Sequence, residues 1–174
     1  MKIFRYLLVI VLTFAAFNAQ ADTLKILVKK QARTLEVLKD NKVVKTYTIA
    51  LGFAPKGTKI RQGDGKTPEG IYHVRIKNAA SQFYLSLGLS YPNAQDAERG
   101  LEAGLISKAQ YQAILRASKQ GKIPPWNTKL GGEIFIHGGG NSSDWTWGCI
   151  ALENADIKEL FATVSLGTEV EIRP

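Results

Sequence analysis

Two alternating runs joined by Asp40-Asn41 constrain this chain more than any other feature. From Arg33 to Leu38, Leu35 and Val37 fall on one face, with Thr34 and Glu36 on the other. A period of two is the signature of a half-buried strand. Val43 to Leu51 returns with Tyr47 and Ile49 opposite Thr46 and Thr48. Asp40-Asn41 between them is a two-residue turn, because both residues tolerate positive φ. The result is an antiparallel hairpin, and with it a sheet-based core.

The remainder reads as mainly β with one helical interruption. Leu24 to Val28 is a short apolar-rich strand, and Gly52 to Gly70 is a long loop punctuated by glycine and proline. Ile71 to Ile76 resumes the β pattern, with His73 between Tyr72 and Val74 as a structural position. Between Ala94 and Gln120 the spacing turns helical. Ala97, Leu101 and Leu105 carry one pattern, and Tyr111, Ile114 and Leu115 another, with Ser107 as N-cap and Gly121 as stop. These helices form an insertion at about residues 79–128 that covers one side of the domain. Glu133 to His137 is then a buried strand, Asn154 caps a helix with Ile157, Leu160 and Phe161 on its apolar face, and Thr168 to Ile172 is the final strand.

The N-terminus bounds where such a chain works. Lys2 and Arg5 precede an apolar run from Tyr6 to Phe17, and Ala19-Gln20-Ala21 supplies the small residues of a signal-peptidase site. That run falls short of the ~20 residues of a spanning helix. Residues 1–21 therefore read as a cleaved signal peptide and 22–174 as one exported domain, periplasmic or otherwise extracytoplasmic. Removing Lys2 and Arg5 takes the formal net charge from +8 to +6. Such a balance suits an anionic polymer or surface. The lysines are scattered and no nucleic-acid motif accompanies them, so no nucleic-acid partner is expected.

Two glycine-rich segments invite phosphate-binding readings that fail. Gly63-Asp64-Gly65-Lys66-Thr67 ends in Gly-Lys-Thr, but Ile60 stands where the first glycine of a phosphate loop belongs, and Pro68 blocks the helix. A tight turn feeding a strand explains it. Gly138-Gly139-Gly140 lacks a third glycine at dinucleotide spacing, since position 143 is Ser143. Directly after His137, that run allows backbone to approach a ligand or simply makes a flexible turn.

The chemistry concentrates in His137, one of two histidines, and Cys149, the only cysteine. A lone thiol in an exported protein has no internal disulfide partner. His137 upstream and the helix near Asn154 downstream are both ways to favour a thiolate. The Gly148 and Cys149 amides are placed to donate to an oxyanion. Against this stands the ordinary fate of a lone cysteine as a small buried hydrophobe, and Ile150, Ala151 and Leu152 suit a core strand. Both readings stay open on spacing alone. Zinc is disfavoured, because one cysteine and two distant histidines have no paired-ligand spacing.

In combination these residues resemble the YkuD-type L,D-transpeptidase catalytic domain. The resemblance rests on Ile136-His137-Gly138 at a strand end, Thr146-Trp147-Gly148-Cys149-Ile150, and the lead-in from Gly63 to Tyr72. It runs from about Leu24 to Ile172. It implies a mainly β sandwich with a short helix after the cysteine, and a cysteine acyltransferase without cofactor or metal. Carried over, Cys149 is the nucleophile and His137 its base. Gly148 belongs to the oxyanion region, Thr146 fills a Ser/Thr slot, and Gly138 is the glycine after the histidine. The substrates implied are peptidoglycan stem peptides, with an amine, or a protein to be attached to the wall, as acceptor.

Trp147 and Ala151 stand where the main pattern has histidine and arginine. With Trp145 and Thr146 they resemble a branch with a Trp-Thr-x-Gly-Cys-Ile-Ala element. These departures leave the acceptor open. With water the same site is an L,D-carboxypeptidase or amide hydrolase. A competitor of another class is a non-catalytic wall-binding module in which Cys149 is inert. Tyr84, Tyr91, Trp126 and Trp145 are candidate substrate contacts, and the insertion is a candidate lid.

Overall fold

In the computed structural model residues 24–174 are described; the signal segment read at 1–21 lies outside them. Eight strands and three helices follow in the order β1 (Leu24–Lys29), β2 (Thr34–Lys39), β3 (Lys42–Thr48), β4 (Gly70–Ser81), β5 (Tyr84–Leu89), α1 (Ala94–Glu102), α2 (Lys108–Lys119), β6 (Phe135–His137), β7 (Ile150–Ala151), α3 (Asn154–Thr163) and β8 (Glu169–Arg173). The hairpin forms as its turn chemistry requires. Asp40 and Asn41 adopt φ of 51° and 63°, the left-handed pair of a tight hairpin turn.

The strands hydrogen-bond in the order β3-β2-β1-β8-β4-β5-β6-β7. β8 runs parallel to β1 and antiparallel to β4. β4 serves both halves of the sheet: Gly70–His73 pairs with β8, and Val74 onward pairs with β5. Its register shifts between Val74 and Ile76; such an irregularity bends a strand, so the two halves face each other. Ala50, just beyond β3, then bridges Ala151 of β7 through reciprocal 2.9 Å bonds. This joins the far edges of the sheet.

The main core lies inside this curve. Ile26, Val28, Leu35, Tyr72, Val74, Leu87, Ile136, Ile150 and Val170 are buried there with Ile157 and Leu160 of α3. A second, smaller cluster of Ala97, Ile106, Ile114 and Leu130 holds α1 and α2. Ser107 caps α2 with a reciprocal Gln110 bond, and Gly121 follows its end at φ 64°.

Several boundaries differ from the sequence reading: β3 ends at Thr48, β4 runs on to Ser81, and β6 begins at Phe135 instead of Glu133. The helices begin at Ala94, where the spacing turns helical, but Ala79 to Leu89, the first part of the expected 79–128 insertion, belongs to the β4–β5 hairpin. The reason is packing: Leu87 and Leu89 are fully buried in the main core. Glu153, not Asn154, is the N-cap of α3, and it makes no side-chain cap bond. The Asn154 side chain is instead taken by the loop beyond β6.

Candidate active site

β6 and β7 are adjacent parallel strands with Ile136 opposite Ile150 and His137 opposite Ala151. Leu152 N–H donates to the His137 carbonyl at 2.8 Å, fixing this register. Cys149, immediately before β7, and His137 then lie diagonally on the same face, because alternate residues of a strand share a face. Both line a cavity of about 420 Å³ whose other walls include Ser81, Phe83, Ser86, Glu133 and Phe135.

His137 is 3% exposed. Its Nδ1 lies 2.6 Å from the Gly138 carbonyl oxygen. A carbonyl only accepts, so Nδ1 carries the proton, and in the neutral ring Nε2 keeps its lone pair. The Phe83 ring stacks on the imidazole at 4.6 Å, and Trp145 meets it edge-on at 5.6 Å. Burial pushes the His137 pKa below its ordinary value, only partly opposed by the Gly138 carbonyl. The ring is neutral at pH 7 and can accept a proton.

Cys149 is partly buried. Phe135 N–H donates to its sulfur at 3.4 Å, and the thiol donates to the Glu133 carbonyl at 3.5 Å. None of the thiol's bonds goes to His137. Burial pushes the thiol up to about 11; the Phe135 amide and the Lys59 charge oppose this, and the Glu133 charge adds to it. The resting pair is therefore a neutral thiol and a neutral imidazole. The N-terminus of α3, expected to favour a thiolate, acts elsewhere. Its Asn154 Oδ1 accepts from Gly139 N–H at 2.9 Å and braces the glycine run after His137.

The turn into Cys149 is held by Thr146. This side chain is 3% exposed; its hydroxyl donates to the Cys149 carbonyl at 2.8 Å and accepts from Gly148 N–H at 3.1 Å. The Gly148 amide, expected as an oxyanion donor, is thus already engaged. The Cys149 amide has no acceptor among the described residues. Gly148 is required for another reason. Its φ is 126°, and a Cβ there would come within 2.5 Å of the Lys66 carbonyl. Gly138 is equally constrained, since a Cβ would meet Asn154 Oδ1 at 2.5 Å and the Phe83 carbonyl at 2.8 Å.

The aromatic contacts divide. Trp145 stands against His137 and donates from Nε1 to the Gly140 carbonyl at 3.1 Å. Trp126 packs on Gly132 and meets the Phe135 ring at 6.3 Å, one layer behind the cavity wall. Tyr84 is exposed at the tip of the β4–β5 hairpin, where its neighbour Phe83 takes the cavity position. Tyr91 is buried, with its hydroxyl donating to the Leu130 carbonyl at 3.1 Å, and belongs to the core. Of the 79–128 insertion, Ala80, Ser81, Gln82, Phe83 and Ser86 around the β4–β5 hairpin line the cavity, and no lining residue comes from α1 or α2. Sequence reasoning missed Phe83, Phe135 and Glu133, which carry no motif of their own.

Among the described residues, no group of three or more His, Cys, Asp or Glu is gathered to hold a metal. No helix among them is long and apolar enough to cross a membrane.

A bent, mainly β sheet with His-Gly closing one strand and Gly-Cys opening its parallel neighbour defines the architecture of an L,D-transpeptidase catalytic domain. The family model of that domain, YkuD, matches residues 24–172, and the chain belongs to this enzyme family. It is 28% identical over 142 residues to YafK of Escherichia coli strain K12, itself assigned as an L,D-transpeptidase only provisionally. That match covers 78% of this chain and 45% of YafK. A variant of Pgp2, a helical cell shape determining protein from Campylobacter jejuni, is 25% identical with a TM-score of 0.60, covering 88% of this chain and 48% of Pgp2. Bd1075 of Bdellovibrio bacteriovorus shares the fold at 23% identity and TM-score 0.59, over 90% of this chain and 50% of its own. The chain thus spans half or less of each relative's length.

Proposed function

We propose that this protein is an extracytoplasmic cysteine L,D-transpeptidase that acylates itself at Cys149 with a peptidoglycan stem peptide and passes the acyl group to an amine. The observation that carries this reading is the neutral imidazole of His137, with Nδ1–H tied to the Gly138 carbonyl, sharing one cavity with the Cys149 thiol.

The chemistry follows from that arrangement. The thiol proton turns from the Glu133 carbonyl toward His137 Nε2 as the sulfur attacks the amide carbon. The carbonyl oxygen gains the negative charge, and the Cys149 N–H donates to it. The C–N bond then breaks, and His137 returns the proton to the leaving amine of the terminal D-residue. A thioester remains on Cys149. An acceptor amine attacks this thioester and gives a proton to His137; the C–S bond breaks, and the thiol is restored. Water in place of the amine gives the hydrolytic outcome.

Intact-mass analysis with a tetrapeptide stem tests the reading. A mass increase equal to the acyl fragment is expected on wild type and is absent from Cys149→Ala. No adduct on wild type, or one that survives Cys149→Ala, refutes the mechanism. Crosslinked dimers among the released products identify transpeptidation, and free tripeptide alone identifies hydrolysis.

A further inference from the structure

Among the described residues, Glu133 is the one carboxylate lining the Cys149 cavity. It forms no side-chain hydrogen bond or ion pair among the described residues. The cation whose charge reaches the thiol, Lys59, is committed elsewhere: its Nζ lies 2.9 Å from Asp64 Oδ1, with both side chains largely buried. Glu133 also holds a φ of 54°, a conformation that costs a glutamate more than a glycine or asparagine. Its own carbonyl accepts from the thiol. For a nucleophile that must develop negative charge, this is an adverse neighbour, and its charge raises the Cys149 pKa further. Glu133 is exposed, so water solvates its carboxylate at rest, and an ammonium entering the cavity can take the place of that water.

We propose that Glu133 forms an ammonium-binding subsite of the catalytic cavity, holding a primary amine of the peptide beside the Cys149 sulfur. The inference rests on the peptidoglycan reading above and deepens it. A bound ammonium satisfies the carboxylate through charge-assisted hydrogen bonds. It also cancels the charge that disfavours the thiolate, so that substrate entry itself activates the sulfur. Two sources share this chemistry: the side-chain amine of a diamino acid in the acyl donor, and the amine of the acceptor. An acceptor held this way first loses its ammonium proton to solvent, which leaves His137 free to take the proton released when the neutral amine attacks.

The test uses wild type, Glu133→Gln and Glu133→Asn. Asparagine adopts positive φ more readily than glutamate, so the second variant guards against a folding defect. Reaction of Cys149 with iodoacetamide, an uncharged reagent, reports that the thiol is in place in all three. In the donor arm, thioester formation is timed with a tetrapeptide stem whose side-chain amine is free or acetylated. In the acceptor arm, the preformed thioester is divided between an added amine and water.

If the donor supplies the ammonium, wild type prefers the free amine roughly tenfold or more, the scale of one charge-assisted bond, and both variants lose the preference. If the acceptor supplies it, the ratio of aminolysis to hydrolysis falls roughly tenfold in the variants while the donor arm is unchanged. Variants that match wild type in both arms overturn the assignment of Glu133 and leave the proposed function standing. No thioester on wild type with either peptide overturns the proposed function and this subsite with it.

Discussion

The resting state of the Cys149 thiol gives the sharpest test of the site. Many cysteine enzymes hold a thiolate–imidazolium pair, which makes the sulfur reactive well below neutrality. Here the sulfur bonds to the Phe135 amide and the Glu133 carbonyl, and burial lifts the thiol to about 11. At pH 8, about one molecule in a thousand then carries a thiolate, against about one in ten for a thiol titrating near 9. Alkylation by iodoacetamide is therefore expected to run roughly a hundredfold slower at that pH than on an unfolded control. Its rate should climb about tenfold per pH unit up to the pH limit of the fold, because the thiolate fraction does so. His137→Ala should leave this profile almost unchanged, since the imidazole is neutral and shares no bond with the sulfur. The same substitution should cost amide acylation ~10²–10⁴-fold, the range of a lost general base. A rate plateau between about pH 5 and 8 would refute the neutral pair and the reasoning from burial together.

Other substitutions probe separate parts of the site. Trp145→Ala removes one wall of the imidazole pocket, so the His137 pKa should rise toward 6.5 as the charged form is better solvated; NMR titration of the two histidines measures this, and an unmoved His137 contradicts it. Gly148→Ala forces a Cβ to within 2.5 Å of the Lys66 carbonyl at a φ of 126°. A loss on the order of 1–3 kcal/mol is expected, seen as a fall of roughly 2–4 °C in Tm per kcal/mol, and an unchanged Tm counts against it. Asp144 is bound by Arg33 at 2.6 Å and accepts from Leu51 N–H at 2.9 Å. Burial alone would raise its pKa, but these bonds outweigh burial and hold the carboxyl below its ordinary value. Its contribution is present above about pH 4 and is lost as pH falls through the depressed value. Asp144→Asn should therefore lower stability by about 1 kcal/mol near neutrality and by almost nothing in strong acid. Chemical denaturation at both pH values checks this, and a gap that persists in acid rules it out.

The hairpin, the helical pair and the meeting of His137 with Cys149 in one cavity were legible because each is written locally. Asp40-Asn41 fixes a turn, Ser107 and Gly121 fix the ends of α2, and His-Gly and Gly-Cys are contiguous motifs. β5 was not legible as a strand. In Tyr84–Leu89 the buried run includes Ser86 and Gly88, whose burial depends on distant partners. A Cβ on Gly88 would strike the Phe135 ring at 2.8 Å and Ile76 Cβ at 2.9 Å, a close approach no local pattern announces. Phe83 and Glu133 escaped notice for the same reason: a cavity wall is a property of the assembled sheet. The role of Gly148 was misjudged because the competing acceptor is a side chain two residues away, Thr146, whose hydroxyl the motif alone leaves unassigned.

The placement of β8 carries a consequence for biosynthesis. This strand, the latest in sequence, sits inside the sheet between β1 and β4. Until it arrives, the N-terminal hairpin and the segment bearing His137 and Cys149 can meet only at the far edges of the sheet, at the Ala50–Ala151 and Gly52–Thr146 bridges. Sheets that depend on such sequence-distant pairing fold slowly, since loop closure precedes the reward. A nascent chain therefore remains without its central seam until residues 169–173 are made. A nascent chain truncated ahead of Glu169 carries β6 and β7, and with them His137 and Cys149, but lacks the strand that joins β1 to β4.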